Sequence, residues 1–545
     1  MAEGDTGRGG EKTAVVSAWL RLGLRWFGHP MVWLLVLGVA LGRRIAGAGL
    51  LVPRRVPDTS GYLALAQLSL DTPQWWEKLL GTTRTYGYPL FLKLTGWVAP
   101  DLTAVPGAHL LCYIFAIVVF WWGFSRYSGR PWLAFWAAMP LFYAELLSMV
   151  NRVQADALAS ASAVAGLGLL LGLARRPRSA ALWLAVVAVV TYTYHVRPAY
   201  LFLLPLFPLL ALALRRLLPG EGRWRWRWGM GLAVALVLPF LAFCSLRWVV
   251  MGHFGLVSFG GYNLAGLTTP LLDDELVAEL PEGDRELAAA VLELRRKKGL
   301  ETVGWDTPME EWYRQYNASV WRVAVPAARQ EARQEARRQT PDEAQRLDPR
   351  ERERRRRELK ALWKGRTLTP EERAEERAEL RAKWRGQRQA QRQAQRQEAR
   401  RLERVRQVAE MNRALSHLAR SILVQRPALY GKWLVGGVAE GLEKVWEIVW
   451  VRRSALALLV LAALAGGLRW LFRPWLRWSW RSSAVALVAV GYFAAGFALV
   501  VLVEVPIDRY MNALLPLLPS ALVAALAEPV LGLLQKLRAA AGMGS

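Results

Sequence analysis

The sequence predicts an all-α, polytopic membrane protein: a transmembrane helical bundle of about ten spans with a large, mostly helical extracytoplasmic loop. Three observations carry this. Hydrophobic residues make up 54% of the 545 residues. They fall into long blocks with few charges, such as those at 183–190, 201–214 and 231–244. The basic excess behind a net charge of +27 is not spread evenly but gathers in short loops and in one long charged stretch. In two of those loops Trp224, Trp226 and Trp228, and Trp470, Trp475, Trp478 and Trp480, sit beside the arginines. A chain of this length, if soluble, would fold as several domains, but apolar blocks of about 20 residues have lipid as their natural solvent.

The apolar blocks place spans near 27–48, 104–124, 131–150, 155–174, 180–195, 198–217, 229–250, 453–471, 483–504 and 511–535. Backbone groups inside lipid must be satisfied within their own segment, so each block is expected to be a helix. The loops around 126–130, 175–178, 215–227 and 469–481 are arginine-rich, whereas the three short loops opposite carry one arginine each: Arg152, Arg197 and Arg509. Basic short loops stay cytoplasmic. Both termini are therefore expected in the cytoplasm, with loops 49–103 and 252–452 outside, in the inner or plasma membrane of the cell. Trp224, Trp226 and Trp228 alternate with Arg223, Arg225 and Arg227, a pattern that suits an anchor at the headgroup level.

Three regions follow: an N-terminal membrane module over 1–251, the outer loop over 252–452, and a C-terminal membrane module over 453–545. Within the loop, 327–410 is low-complexity, with RQEA and QRQA repeats and Glu and Arg at helical spacing. It lacks an apolar stripe, so it reads as solvated helix. The expected topology puts it outside the cytoplasm, which argues against nucleic acid as a partner. The flanking segments Glu311–Trp321 and Leu415–Trp433 carry apolar residues at helical spacing and are expected to lie on the outer membrane surface. Cys112 and Cys244 sit inside apolar blocks and form neither a disulfide framework nor a metal motif.

The polar residues that interrupt the blocks carry the functional reading. Asp58, Tyr62, Arg84 and Tyr88 lie in the first outer loop, Asp156 opens a span, His195 and Arg197 form a turn, and Arg509 and Tyr510 precede the last span. The expected topology puts all of them on one face. Ionisable groups at membrane depth are expensive and usually functional, and arginine matches phosphate in bidentate geometry. The bland alternative for Asp58 is an N-cap for a helix starting at Thr59.

The stretch DTSGY from Asp58 to Tyr62, followed by RTYGYPLFL from Arg84, resembles the first outer loop of GT-C-type membrane glycosyltransferases, similar to the protein mannosyltransferase and aminoarabinose transferase families. QADAL around Asp156, HVRP from His195 to Pro198, and DRY from Asp508 to Tyr510 resemble further motifs of that group, in the same order. The second acid seen in many members is Thr59 here, which leaves metal dependence open: a divalent cation has no dedicated motif. The resemblance implies a GT-C fold and transfer of a sugar from a polyprenyl-phosphate donor to a hydroxyl of a glycan, lipid or protein acceptor, with inversion. It implies Asp58 as general base, Arg84, His195 and Arg197 toward the phosphate, Tyr62, Tyr88 and Asp156 as positioning groups, and Arg509 and Tyr510 as further substrate- or phosphate-binding residues. Two alternatives stay open. One is a flippase or transporter of lipid-linked sugars. The other is an enzyme like an O-antigen ligase or polymerase, for which His417 and Arg420 in the large loop would matter.

Overall fold

The computed structural model describes residues 28–68, 79–81, 83–143, 145–218, 225–331, 407–448 and 479–540, with a few isolated positions besides. Among these residues the chain is helical and has no strand; one isolated bridge pairs Arg54 with Arg152. In chain order the α-helices are α1 Pro30–Gly47, α2 Thr59–Ala66, α3 Gly87–Val98, α4 Ala104–Ser128, α5 Pro131–Ala138, α6 Asp156–Arg175, α7 Ala180–Val196, α8 Leu203–Leu217 and α9 Arg225–Met251. Next come α10 Gly260–Thr268, α11 Asp274–Glu279, α12 Glu282–Lys297, α13 Met309–Ala318, α14 over 407–425 and α15 Pro427–Glu447. The chain closes with α16 Trp480–Val503, α17 Asp508–Leu514 and α18 Leu518–Ala540.

Among the described residues, seven segments are long and apolar enough to cross a membrane: Pro30–Gly47, Ala104–Ser128, Asp156–Arg175, Pro198–Leu217, Trp226–Met251, Trp480–Val503 and Asp508–Gly532. Helix α7 is apolar but shorter. The protein is thus an all-α integral membrane protein. The span expected over 131–150 is not one helix. Helix α5 stops at Ala138, and 3₁₀ turns follow over Met139–Tyr143 and Glu145–Met149. Pro140 explains the break, because a proline ring collides with the carbonyl four residues back and supplies no N–H. The span expected at 453–471 lies outside the described residues, as does most of the charged stretch at 327–410.

Local sequence sets the helix ends. Pro30 opens α1 and His29 Nδ1 accepts from the Met31 N–H at 3.3 Å. Ser179 caps α7 through Leu182 N–H, and Ser479 caps α16 through Arg481 N–H at 3.1 Å. Gly129 follows α4 in the left-handed region, φ 70°, a conformation glycine adopts without cost.

The bundle is tightest between α4 and α6. A Cβ built on Gly123 would sit 1.8 Å from the Gly168 carbonyl oxygen, and one on Gly168 would sit 2.5 Å from Phe120 Cα. Lipid offers no hydrophobic drive for helix pairing, so small residues that let backbones touch do that work. Leu111 and Phe115 of α4 and Val249 of α9 point outward, as a lipid-facing surface requires.

The described chain divides into two compact units. One comprises Met1–Val257, Trp305–Tyr313 and Arg426–Ser545; the other comprises Ser258–Gly304 and Arg314–Gln425. In the second unit Arg295 is fully buried and donates to Ser319 Oγ at 2.8 Å, Gln315 Oε1 at 2.7 Å and the Glu301 carbonyl at 2.6 Å. Burial lowers its pKa to about 10.

The two segments expected to lie on the membrane surface differ from that reading. Helix α13 continues into a π-helical turn at Ser319–Ala324, and Trp312, Tyr316 and Val320 are buried in protein. Trp433 is buried too, its ring 5.2 Å from that of Trp312. The stretch Leu415–Trp433 is two helices, broken where Arg426 precedes Pro427 at the first position of α15. The periodicity was that of core-facing helices, which share their pattern with interfacial ones.

Candidate active site

Asp58 occupies the residue before α2, with φ −70° and ψ −22°, and its side chain makes no capping bond. The turn is organised instead by Thr59, whose Oγ1 accepts from Val56 N–H at 2.8 Å and donates to the Val153 carbonyl at 3.0 Å. Arg54 N–H donates to the Asn151 carbonyl at 2.7 Å and Val153 N–H returns to the Arg54 carbonyl at 3.0 Å. These bonds stitch the first loop to the segment leading into α6, which brings Asp58 into the neighbourhood of Asp156.

The freed carboxylate of Asp58 faces arginines. Arg84 Nη2 donates to Asp58 Oδ1 at 2.6 Å, and Arg509 Nη1 lies 3.5 Å from Oδ2. Burial opposes the ionisation of Asp58, but the charge and hydrogen bond of Arg84, with the charges of Arg509 and Arg197, outweigh it. The carboxyl is held below the usual aspartate value. Arg84 also lies over the Tyr62 ring, 4.9 Å from its centroid, and Tyr62 packs edge-on against Tyr88 at 4.8 Å.

Arg197 ends α7 in an extended conformation, and Pro198 opens the 3₁₀ turn Pro198–Phe202. Its guanidinium pairs with Asp156 in the first turn of α6 and lies over the Tyr510 ring at 5.1 Å. Arg509 Nη2 donates to the Tyr510 hydroxyl at 3.0 Å. The start of α3 is held against the end of α7: a Cβ on Gly87 would fall 2.5 Å from the His195 carbonyl carbon. No larger residue fits there, so Gly87 lets the start of α3 close on the backbone of His195 and Val196.

All nine residues singled out from the sequence, Asp58, Tyr62, Arg84, Tyr88, Asp156, His195, Arg197, Arg509 and Tyr510, fall in this one neighbourhood of the first unit. His195 differs from the others. It is 2% exposed, its ring packs 4.4 Å from Tyr86 and 4.7 Å from Phe243, and it forms a wall rather than an open cation. His417 belongs to the second unit, where its Nδ1 lies 2.8 Å from Asp284 Oδ1 and Ser421 Oγ donates to the same carboxylate at 2.6 Å.

Sequence reasoning missed several members. Thr85 Oγ1 and Gln154 Nε2, like His195 Nδ1 and the Tyr88 hydroxyl among the residues already named, are buried polar atoms without a hydrogen-bond partner among the described residues. Buried orphan donors and acceptors in a native fold mark a place where a polar group or water is expected. Thr85 and Gln154 lie within two residues of Arg84 and Asp156, and that adjacency was the available signal. Tyr86 was missed as well. It borders an apolar cavity of about 370 Å³ whose walls include Leu65, Leu80, Pro89, Leu90, Phe243 and Leu246. The cavity therefore opens beside His195. Among the described residues, no group of three or more His, Cys, Asp or Glu side chains is arranged to hold a metal ion.

Comparison of the chain with protein-family models, with curated proteins and with solved structures finds no match.

Proposed function

We propose that the protein is a membrane glycosyltransferase that moves a sugar from a polyprenyl-phosphate donor to an acceptor hydroxyl, with inversion, at the extracytoplasmic face of the cell membrane. The observation that carries this reading is a single carboxylate, Asp58, between Arg84 at 2.6 Å and Arg509 at 3.5 Å, with the Arg197–Asp156 pair beside it. Arg84, Arg197 and Arg509 converge there, with the charges of Asp58 and Glu504 both acting on Arg509, and their forked donors suit a phosphodiester. The apolar cavity at Tyr86 gives the first isoprene units a place outside water.

In this reaction the acceptor oxygen attacks the anomeric carbon and the bond from that carbon to the phosphate oxygen breaks. The electron pair leaves with the phosphate and the hydroxyl proton passes to Asp58. The ion pairs explain how a carboxylate with a depressed pKa can serve as base. A donor phosphate competes for Arg84 and Arg509 and draws them from Asp58. Losing those cations raises the proton affinity of Asp58 when the donor is in place. The same arginines then stabilise the charge that develops on the leaving phosphate. Tyr62 and Tyr510 orient the guanidinium planes by ring contact, Tyr88 packs behind Tyr62, and His195 backs Tyr86 and Phe243 at the cavity wall.

Lipid-linked sugars and envelope glycans from cells with and without the protein, compared by mass spectrometry, test this reading. Accumulation of one polyprenyl-phosphate sugar in the deleted strain supports it, and an unchanged lipid pool contradicts it.

A further inference from the structure

Helix α16 runs 24 residues from Trp480 to Val503, a length of about 36 Å. The arginine and aspartate site lies beyond its last residue. A second polar cluster sits at its first residue. Glu528 of α18 is 8% exposed. Its Oε2 accepts from the hydroxyls of Ser479 and Ser482. Its other oxygen, Oε1, is faced by two arginines: Arg130 Nη1 at 3.8 Å and Arg481 Nη1 at 3.7 Å. Both distances exceed a hydrogen bond. Two guanidinium groups thus share one carboxylate oxygen without either one closing on it, and the cluster keeps a net positive charge.

The arginines are held in place from behind. Arg481 Nε donates to the Ser128 carbonyl at 2.8 Å and its guanidinium lies 4.5 Å from the Trp480 ring centroid. Arg130 N–H donates to Ser128 Oγ at 3.2 Å. Both side chains are partly open, 31% exposed for Arg130 and 26% for Arg481. They stand at the starts of α5 and α16, where apolar helix gives way to loop, beside an indole ring of the kind that settles at headgroup depth.

From this arrangement we infer a binding site for the headgroup of an anionic phospholipid. The phosphodiester oxygens take the forked donors of Arg130 and Arg481, and the acyl chains run along the outward apolar faces. Phosphate with two convergent guanidinium groups forms charge-assisted, bidentate bonds that Glu528 at 3.7 to 3.8 Å does not. The site is separate from the Asp58 cluster and does not depend on the glycosyl-transfer reading.

Full-length protein reconstituted into phosphatidylcholine vesicles with phosphatidylglycerol, then released in detergent and weighed by native mass spectrometry, tests the inference. The expected result is retention of phosphatidylglycerol over phosphatidylcholine by about tenfold, the scale of one charge-assisted hydrogen bond. Arg130→Gln and Arg481→Gln should each bring the ratio down severalfold, while Arg176→Gln, in another arginine-rich loop, should leave it unchanged. Glu528→Gln should raise the ratio, because it removes the competing carboxylate while keeping an acceptor for the serines; a purely structural cluster would move the other way. Equal retention of the two lipids by the natural protein would overturn the inference. So would an unchanged ratio in both arginine variants, a fall in Glu528→Gln, or displacement of the lipid by millimolar inorganic phosphate.

Discussion

Asp58 and Asp156 are both paired with arginine, yet their surroundings differ, and substitutions should separate them. The Asp156 side chain is 3% exposed and that of Asp58 is 31% exposed. Arg197→Ala strands Asp156 as an unpaired buried charge, a defect typically worth about 3–5 kcal/mol. That variant is expected to lose much of its thermal stability, and the double variant Arg197→Gln with Asp156→Asn to recover it without recovering donor binding. Recovery of both in the double variant would make the pair a structural tie only. Asp58 titrates in the direction its arginines impose. Its folded pKa lies below the unfolded value of about 3.9, so its contribution to stability is present above that value and is lost as pH falls through the folded pKa. The stability difference between the natural protein and Asp58→Asn should be flat across roughly pH 5–8 and shrink only below about pH 4. A step near neutrality in thermal-unfolding profiles would contradict the ion-paired description. At this scale the sequence was most informative, since each site residue interrupts an otherwise apolar run. It could not show that Asp58 leaves its helix end uncapped, because the competing partners, Arg84 and Arg509, are 26 and 451 positions away.

Helix α17 carries Arg509 and Tyr510 and is only seven residues long, so its placement depends on neighbours. The Tyr492 hydroxyl of α16 donates to the Ala513 carbonyl at 3.1 Å, and Ser160 Oγ of α6 lies 3.4 Å from the same oxygen. These bonds fix the far end of the element that holds Arg509. Tyr492→Phe removes one neutral hydrogen bond, about 1 kcal/mol. It is expected to raise the donor concentration needed for half-saturation by roughly fivefold while leaving kcat near its natural value. Equal loss in both parameters would point to a general loss of fold. Between α4 and α6 the backbones touch at Gly123 and Gly168. Gly168→Val is expected to abolish stable insertion, whereas Gly107→Ala, where a Cβ meets nothing within 4 Å, should be silent in a detergent melting assay. Elements were legible where hydropathy and length agreed, as in α4, α6 and α16. The stretch 131–150 was misread because Pro140 breaks the helix without lowering the hydropathy. The faces of α13 and α14 were misread because a buried stripe and a lipid-facing stripe have the same period.

At the scale of the whole molecule, the proposed orientation, argued from the one-sided arginines, would put the Asp58 cluster and the loop over 252–452 outside. Cysteine placed at exposed Lys298 should react with an impermeant thiol reagent in intact cells, and cysteine at Arg176 should not. The reverse pattern would invert the orientation. Replacing 332–406 by a Gly/Ser linker spares Ala328 and Ala409, both buried, and is expected to leave a membrane-inserted, active protein. Complete loss of transfer with normal insertion would give the charged stretch a part in acceptor recruitment. The Arg130–Arg481–Glu528 cluster was not legible in sequence, since its members lie in three separate segments and only the packing of α18 against α5 and α16 unites them. The central claim is that Asp58 accepts the hydroxyl proton in sugar transfer, and one substitution tests it most directly. Asn keeps the shape of the side chain and can still accept a hydrogen bond from Arg84, but it cannot take up a proton. Transfer from a polyprenyl-phosphate sugar by purified, vesicle-reconstituted Asp58→Asn should fall about 10²- to 10⁴-fold with insertion and donor binding preserved, and transfer within a few-fold of the natural rate would contradict the claim.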